Sequence, residues 1–457
     1  MIKALTWDID VLCLATQPCY PRLTMAKRPR LNQLDAADAA ARIVAGKLTS
    51  EALVRACLER IEERDGEVHA WAFIDPDLAI AQARARDRES PRGPLHGVPV
   101  GIKDNIDTED MPTEYGSKLY AGNRPIADAA TVARLRAQGA VILGKTRTTE
   151  FACPFPTITR NPHDLTRTPG VSSAGSAASV ADFMVPLANG TQTGGSVIRP
   201  ASVCGVYGFK GSLNALDRAG IRHLKTSIDT LGLFARSLAD IVLMRGALTE
   251  GAKTAIPRPR KAPRIGLART HLWPNALPET VKAIEIAQAA LGAADVTLPK
   301  IIEDVAPSFN VITRYEGRLM TDQVERDHID QVNPWSRESY EGGLSLTRAD
   351  FDKAIGDSQR ARAEFAKVFD EYDVLITPAS SGEAPADLTR VEIAPFNSLW
   401  THMYVPCVTI PAFVGPNNMP VGLQIVGPHG ADEAVLAASA WIEARLAAAN
   451  ALPIRAG

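Results

Sequence analysis

Apolar residues recur along this chain at two periods, and the alternation between them predicts its elements. An alanine-rich segment from Leu34 to Ala45 reads as a helix that Gly46 closes. Ser50 is the expected cap of a second helix, in which Leu53, Val54, Cys57, Leu58 and Ile61 follow the i, i+3/i+4 spacing of one buried stripe. A third helical stretch covers 78–87. From Gly93 the texture changes. Val98–Lys103 (VPVGIK) and Val141–Leu143 are short apolar runs of strand character, separated by a helical segment over 130–138 that ends at Gly139. Further helical patterns occupy 279–293 and 349–371, strand-like runs lie at 374–377, 408–410 and 421–427, and a last helix covers 433–447. Strands at both ends of the chain with helices between them predict one sheet assembled from distant segments. Residues 1–24 show no such period, and Asp8 and Asp10 precede an apolar patch too short for a secretory leader. They are expected to be a disordered tail or an upstream start. The folded domain is then 25–457, with the helices of 25–92 packed on its outside.

Charge and cysteine usage narrow the function classes. Fifty basic side chains face fifty-two acidic ones, a net charge of -2. That balance offers no global reason to expect nucleic acid or a membrane surface as partner. Cys13, Cys19, Cys57, Cys153, Cys204 and Cys407 are scattered without a C-x-x-C pair, which predicts a reduced, cytoplasmic protein. The histidines are dispersed too, so no metal site is expected. The basic, Pro-rich run Lys253–Arg264 reads as a surface connector. Gly139–Thr146 (GAVILGKT) matches the phosphate-binding loop pattern letter for letter, but its variable positions form a strand interior and Gly139 closes a helix. The mechanism behind that pattern needs a flexible loop leading into a helix, so nucleotide binding is rejected.

Three segments carry the candidate chemistry: GVPVGIKDNID (97–107), PGVSSAGSAASVA (169–181) and GTQTGGSVIRPAS (190–202). Residues 170–215 are rich in Gly, Ser, Ala and Thr and nearly free of charge, which implies close backbone packing around a site rather than a solvated linker. Lys103 precedes Ser172 by 69 residues, and Ser172 precedes Ser196 by 24. In order and spacing these segments resemble the amidase signature hydrolases and their Lys–cis-Ser–Ser triad. GKTRTTEFA (144–152), CGVYGFKGS (204–212), SIDTLGLFARSLAD (227–240), YDVLITP (372–378) and PVGLQIVG (420–427) extend the likeness over about residues 30–450.

The resemblance implies a single α/β/α domain, a large mixed central sheet covered by helices on both faces. It implies Ser196 as nucleophile, Ser172 as proton relay after a cis Val171–Ser172 bond, and Lys103 as base. Backbone N–H groups of Thr193, Gly194, Gly195 and Ser196 would form an oxyanion hole, with Ser173 in support. The chemistry agrees, since a serine hydroxyl needs a base and no histidine lies in these motifs. Lys103 can serve only when neutral, so its usual pKa of about 10.4 must fall through burial or neighbouring charge. No cofactor or metal is implied.

The chain departs from the family at Gln192, where most members carry an acid, and at Arg199, which stands three positions after the nucleophile instead of two. A malonamidase-like branch shares that arginine placement, which implies a substrate carboxylate bound by Arg199, with Gln192 a second candidate substrate contact; the other reading is an arginine that braces the loop. The expected function is an amidohydrolase that cleaves a linear carboxamide to carboxylate and ammonia or amine. Its partners would be a small-molecule amide substrate, with no nucleic acid and no membrane, and a homodimer is allowed. The alternative within the family is the glutaminase (A-type) subunit of a tRNA-dependent amidotransferase, against which Gln192 and Arg199 count. The substrate pocket is expected from 300–345 and from Asn397–Tyr404. A catalytically silent scaffold is the third reading, disfavoured by the intact triad.

Overall fold

The computed structural model describes residues 30–222, 225–256, 261–389 and 395–451. The tail expected over 1–24 and the centre of the basic connector lie outside the described residues. The eleven strands are β1 (Trp71–Ile74), β2 (Pro99–Lys103), β3 (Val141–Thr146), β4 (Leu187–Gln192), β5 (Tyr207–Lys210), β6 (Thr230–Ala235), β7 (Ile265–Leu267), β8 (Ala294–Asp295), β9 (Val374–Pro378), β10 (Cys407–Val414) and β11 (Pro420–Val426). They form one mixed sheet in the order β1-β3-β2-β4-β6-β5-β10-β11-β9-β7-β8. The centre is therefore built from chain segments far apart: β5 pairs antiparallel with β10, Cys407 opposite Lys210.

Alternation along the strands divides the core in two. In β3, Ile142 faces one cluster while Val141 and Leu143 face the other. The first cluster takes Val132 and Leu135 from helix α4 (Ala130–Ala137) and side chains from helices 238–248, 278–291 and 432–448. The second takes Leu53, Val54 and Cys57 from α2 (Ser50–Val68), together with α3 (Pro76–Asp87), α5 (Ala174–Ala181) and α6 (Ile198–Cys204). Helix α1 (Ala36–Val44) contributes Ala36 to the first and Ala39 to the second. Helices thus cover both faces, as the sequence leads one to expect.

Local corrections have local causes. Thr49, not Ser50, caps α2, its Oγ1 accepting the Ala52 N–H at 3.1 Å; Ser50 Oγ donates instead to Gly97 O at 2.8 Å. Strand β1, at the sheet edge, is four residues with mixed burial, too short to show a period of two. Helices Ala306–Met320 and Pro334–Leu344 are unexpected, because each buries only a few side chains and their apolar stripe is interrupted by polar residues.

Candidate active site

The rejected phosphate loop has a structural reason. Lys145 lies inside β3, fully buried, and its ammonium reaches Ile106 O at 2.8 Å and approaches Asp104 Oδ1 to 3.7 Å. Burial pulls its pKa down to about 8 against the pull of Asp104, and burial lifts Asp104 to about 6. This pair braces the sheet.

Lys103 ends β2 on the other side of the same pairing. Its backbone N–H donates to Asn189 Oδ1 at 2.9 Å, which ties the strand end to β4. The amine is enclosed by three hydroxyls, Ser172 Oγ at 2.9 Å, Ser173 Oγ at 3.0 Å and Thr191 Oγ1 at 2.8 Å. Burial lowers its pKa to about 7, partly opposed by the Asp229 carboxylate. A hydroxyl can donate or accept, so this cage satisfies both the ammonium and the neutral amine. Ser173 Oγ donates to Thr191 O at 3.3 Å, and Asn105 Nδ2 donates to Thr191 Oγ1 at 3.1 Å, which fixes the cage further. Gly190 makes room for it: a Cβ there would lie 2.7 Å from Ser173 Oγ.

Ser172 differs from expectation in one respect. Among the described residues no peptide bond is cis, so Val171–Ser172 is trans. Trans is the isomer that a non-proline bond adopts unless its surroundings enforce the other, and the Ser172 hydroxyl meets the Lys103 amine without a flip. Ser172 Oγ is bonded to Lys103, not to Ser196, among the described residues.

Ser196 sits between β4 and α6 on the wall of a cavity of about 430 Å³, together with Thr193, Gly194 and Gly195. Two side chains hold this loop. Gln192 Oε1 accepts the N–H groups of Val197 and Ile198 at 2.9 and 3.0 Å, and its Nε2 donates to Thr401 Oγ1 at 3.0 Å. Thr401 in turn donates to Gly194 O at 3.2 Å. Gln192, expected as a substrate contact, is buried and uses both ends of its carboxamide to anchor the loop. Arg199, in the first turn of α6, is buried and lines the cavity.

The outer wall comes from Phe309, Trp335 and Leu399, within the two segments expected to form the pocket. His402, inside the second of those segments though not singled out in the sequence, also lines the cavity. Its Nε2 is bonded to Ser358 Oγ at 2.7 Å, and burial, helped by the Arg362 charge, lowers its pKa to about 3. A histidine so neutral is no acid–base partner. Sequence reading missed Thr191, Asn189 and Asp229, whose polar side chains carry no periodic signal and join the site only through the strand register.

Comparison with known proteins agrees with this architecture. The amidase family model matches residues 52–436. The A-type subunit of glutamyl-tRNA(Gln) amidotransferase from Chloroflexus aggregans is 32% identical, over 89% of this chain and 95% of that protein. Its counterpart from Streptomyces coelicolor is 32% identical over 90% and 96%. Among solved structures, an amidase superposes with a TM-score of 0.81 at 30% identity, over 90% of this chain and all of that one. The peptide amidase from Stenotrophomonas maltophilia gives 0.77 at 27%, over 92% and 98%. The relatives correct one expectation. A small-molecule amide, no nucleic acid and a homodimer do not stand as the partner set of a chain that matches one component of a tRNA amidotransferase over nine-tenths of its length. The net charge of -2 misled because it averages the whole surface and says nothing of one docking face.

Proposed function

The chain belongs to the amidase family, enzymes that act on amide C–N bonds, and on that premise we propose that it opens a carboxamide through an acyl-enzyme on Ser196, as the amide-cleaving subunit of an amidotransferase. The observation that carries the chemistry is the buried Lys103 amine, held near neutrality and bonded to Ser172. Ser196 Oγ attacks the carbonyl carbon. Its proton passes to Ser172 as the Ser172 proton moves to the neutral Lys103. Backbone N–H groups of Thr193–Ser196 receive the charge on the carbonyl oxygen. Collapse returns the proton through Ser172 to the leaving nitrogen, which departs as ammonia, and water frees the carboxylate by the same relay. Ser173 supports the cage, and the four free cysteines among the described residues fit a reducing, cytoplasmic setting. The subunit role is supported by the curated relatives.

A second reading has its own observation. The apolar and aromatic wall of Phe309, Trp335 and Leu399 suits a carboxamide that ends a larger, apolar chain, and a peptide amidase is among the structural relatives. The deciding experiment measures ammonia release from glutamine and from C-terminal peptide amides, with Ser196→Ala as the blank. It is run with and without charged tRNA and the other subunits of a glutamyl-tRNA(Gln) amidotransferase. Glutamine turnover that rises when these are added supports the amidotransferase role. Full turnover of peptide amides by the chain alone favours the second reading, and turnover that survives Ser196→Ala overturns both.

A further inference from the structure

The register of the sheet sets one buried acid against the nucleophile loop. Strands β4 and β6 run antiparallel with Gln192 opposite Thr230, and one step beyond that pair Thr193 meets Asp229. The Thr193 hydroxyl donates to Asp229 Oδ1, and the Lys225 backbone N–H donates to Oδ2 at 2.8 Å. Asp229 is itself held at its backbone. Its N–H donates to Lys225 O at 2.8 Å, and its carbonyl accepts Arg218 Nη1 at 2.6 Å. Thr193 stands two residues after Thr191, whose hydroxyl bonds the Lys103 amine, so this acid and the base share one end of β4. The charged groups Lys225 and Arg218 favour the ionised carboxyl against burial, and its charge acts in turn on Lys103 and on the Cys153 thiol.

A buried carboxylate is costly to keep. An asparagine of the same shape would accept the Lys225 N–H and meet the Thr193 hydroxyl with its own NH2 group, without that cost. What asparagine lacks is the charge. We infer that Asp229 is a positioning residue for the reaction: it fixes Thr193, the first residue of the proposed oxyanion loop, and brings a negative charge within reach of the Lys103 amine. The hydrogen bond sets the loop. The charge offsets part of the burial, so that Lys103 stays basic enough to hold the Ser196 proton while the acyl-enzyme forms. The inference rests on the amide-cleaving reading and adds to it the residue that tunes its base.

The test reads the nucleophile without needing an amide. A fluorophosphonate labels Ser196: its Oγ bonds to phosphorus, fluoride leaves, and the serine proton passes to the relay. The labelling rate is followed between about pH 5.5 and 9, with Ser196→Ala as the background. We expect Asp229→Asn to move the rising limb to lower pH by about half a unit or more, because the Lys103 ammonium loses a stabilising charge. Its plateau should fall about threefold or more, since the Thr193 bond is no longer charge-assisted. Thr193→Val should slow the plateau about tenfold and leave the limb in place, and Thr193→Ser should restore most of that loss. A role in packing alone has the opposite signature. Water admitted around Lys103 would carry the limb to higher pH, towards the ordinary lysine value. A limb that stays or rises in Asp229→Asn overturns the inference, as does a Thr193→Val plateau equal to that of the unsubstituted protein. A thermal melt of each variant checks that the fold persists. Ammonia release is measured separately: labelling that follows Asp229 as expected, with no amide turned over, would sink the amide-cleaving reading and spare this one.

Discussion

At the scale of single residues, the site depends on a lysine kept uncharged. Lys103 has lost nearly all contact with water and has only hydroxyls around its amine, so its pKa falls to about 7. The base is the deprotonated form, so kcat/KM should rise with pH through about 7 and flatten above it, and a pH profile on any turned-over amide checks the sign. Lys103→Ala should lower kcat by at least about a hundredfold, the lower range of what a positioned general base contributes. Lys145, also buried and with its pKa down at about 8, sits beside Asp104 and donates to Ile106 O, whereas Lys103 meets the serine hydroxyls. Lys103 closes β2 and Lys145 lies inside the neighbouring β3, and only their surroundings tell them apart. Lys103 was legible in the sequence from the apolar run before it and from its distance to the serines. Thr191, which completes the cage, was not, because only the pairing of β2 with β4 brings it within reach.

At the scale of elements, two short connections decide function and stability. The loop from β4 to α6 is held by Gln192, whose carboxamide satisfies two N–H groups at the entry to the helix and reaches Thr401 as well. We expect Gln192→Ala to orphan those buried groups. It should cost about 2–3 kcal/mol in urea unfolding and lower kcat more than it raises KM, because the loop carries the oxyanion N–H groups. The capping Thr49 gives a milder test: Thr49→Ala should cost about 1 kcal/mol in the same measurement and leave kcat unchanged. Helix α2 was readable from its apolar stripe, and the strands β2, β3 and β11 from short continuous apolar runs, because they are buried on both faces. Gln192 was visible only as a departure from the family pattern. Its role was hidden because a carboxamide that faces a ligand and one that faces a helix end look identical in sequence.

At the scale of the molecule, β1 to β6 form one contiguous block of the sheet and β7 to β9 another, and β10 with β11 sits between them. Neither block should be stable alone. A chain that ends at residue 406 lacks both central strands and the last helix, and we expect it to be protease-sensitive and to unfold without a cooperative transition, where the full chain melts in one. That one sheet draws on both ends of the chain was legible in the alternation of apolar runs; which strand lies beside which was not, because register between distant segments leaves no local pattern. The strand order also sets a timetable for synthesis. At ~5–20 residues per second a ribosome needs roughly 10–40 s to pass from β5 to the end of β11. For that interval the nascent chain carries an open β5 edge awaiting its partner, so production of this protein should depend on chaperone capacity more steeply than its final stability suggests.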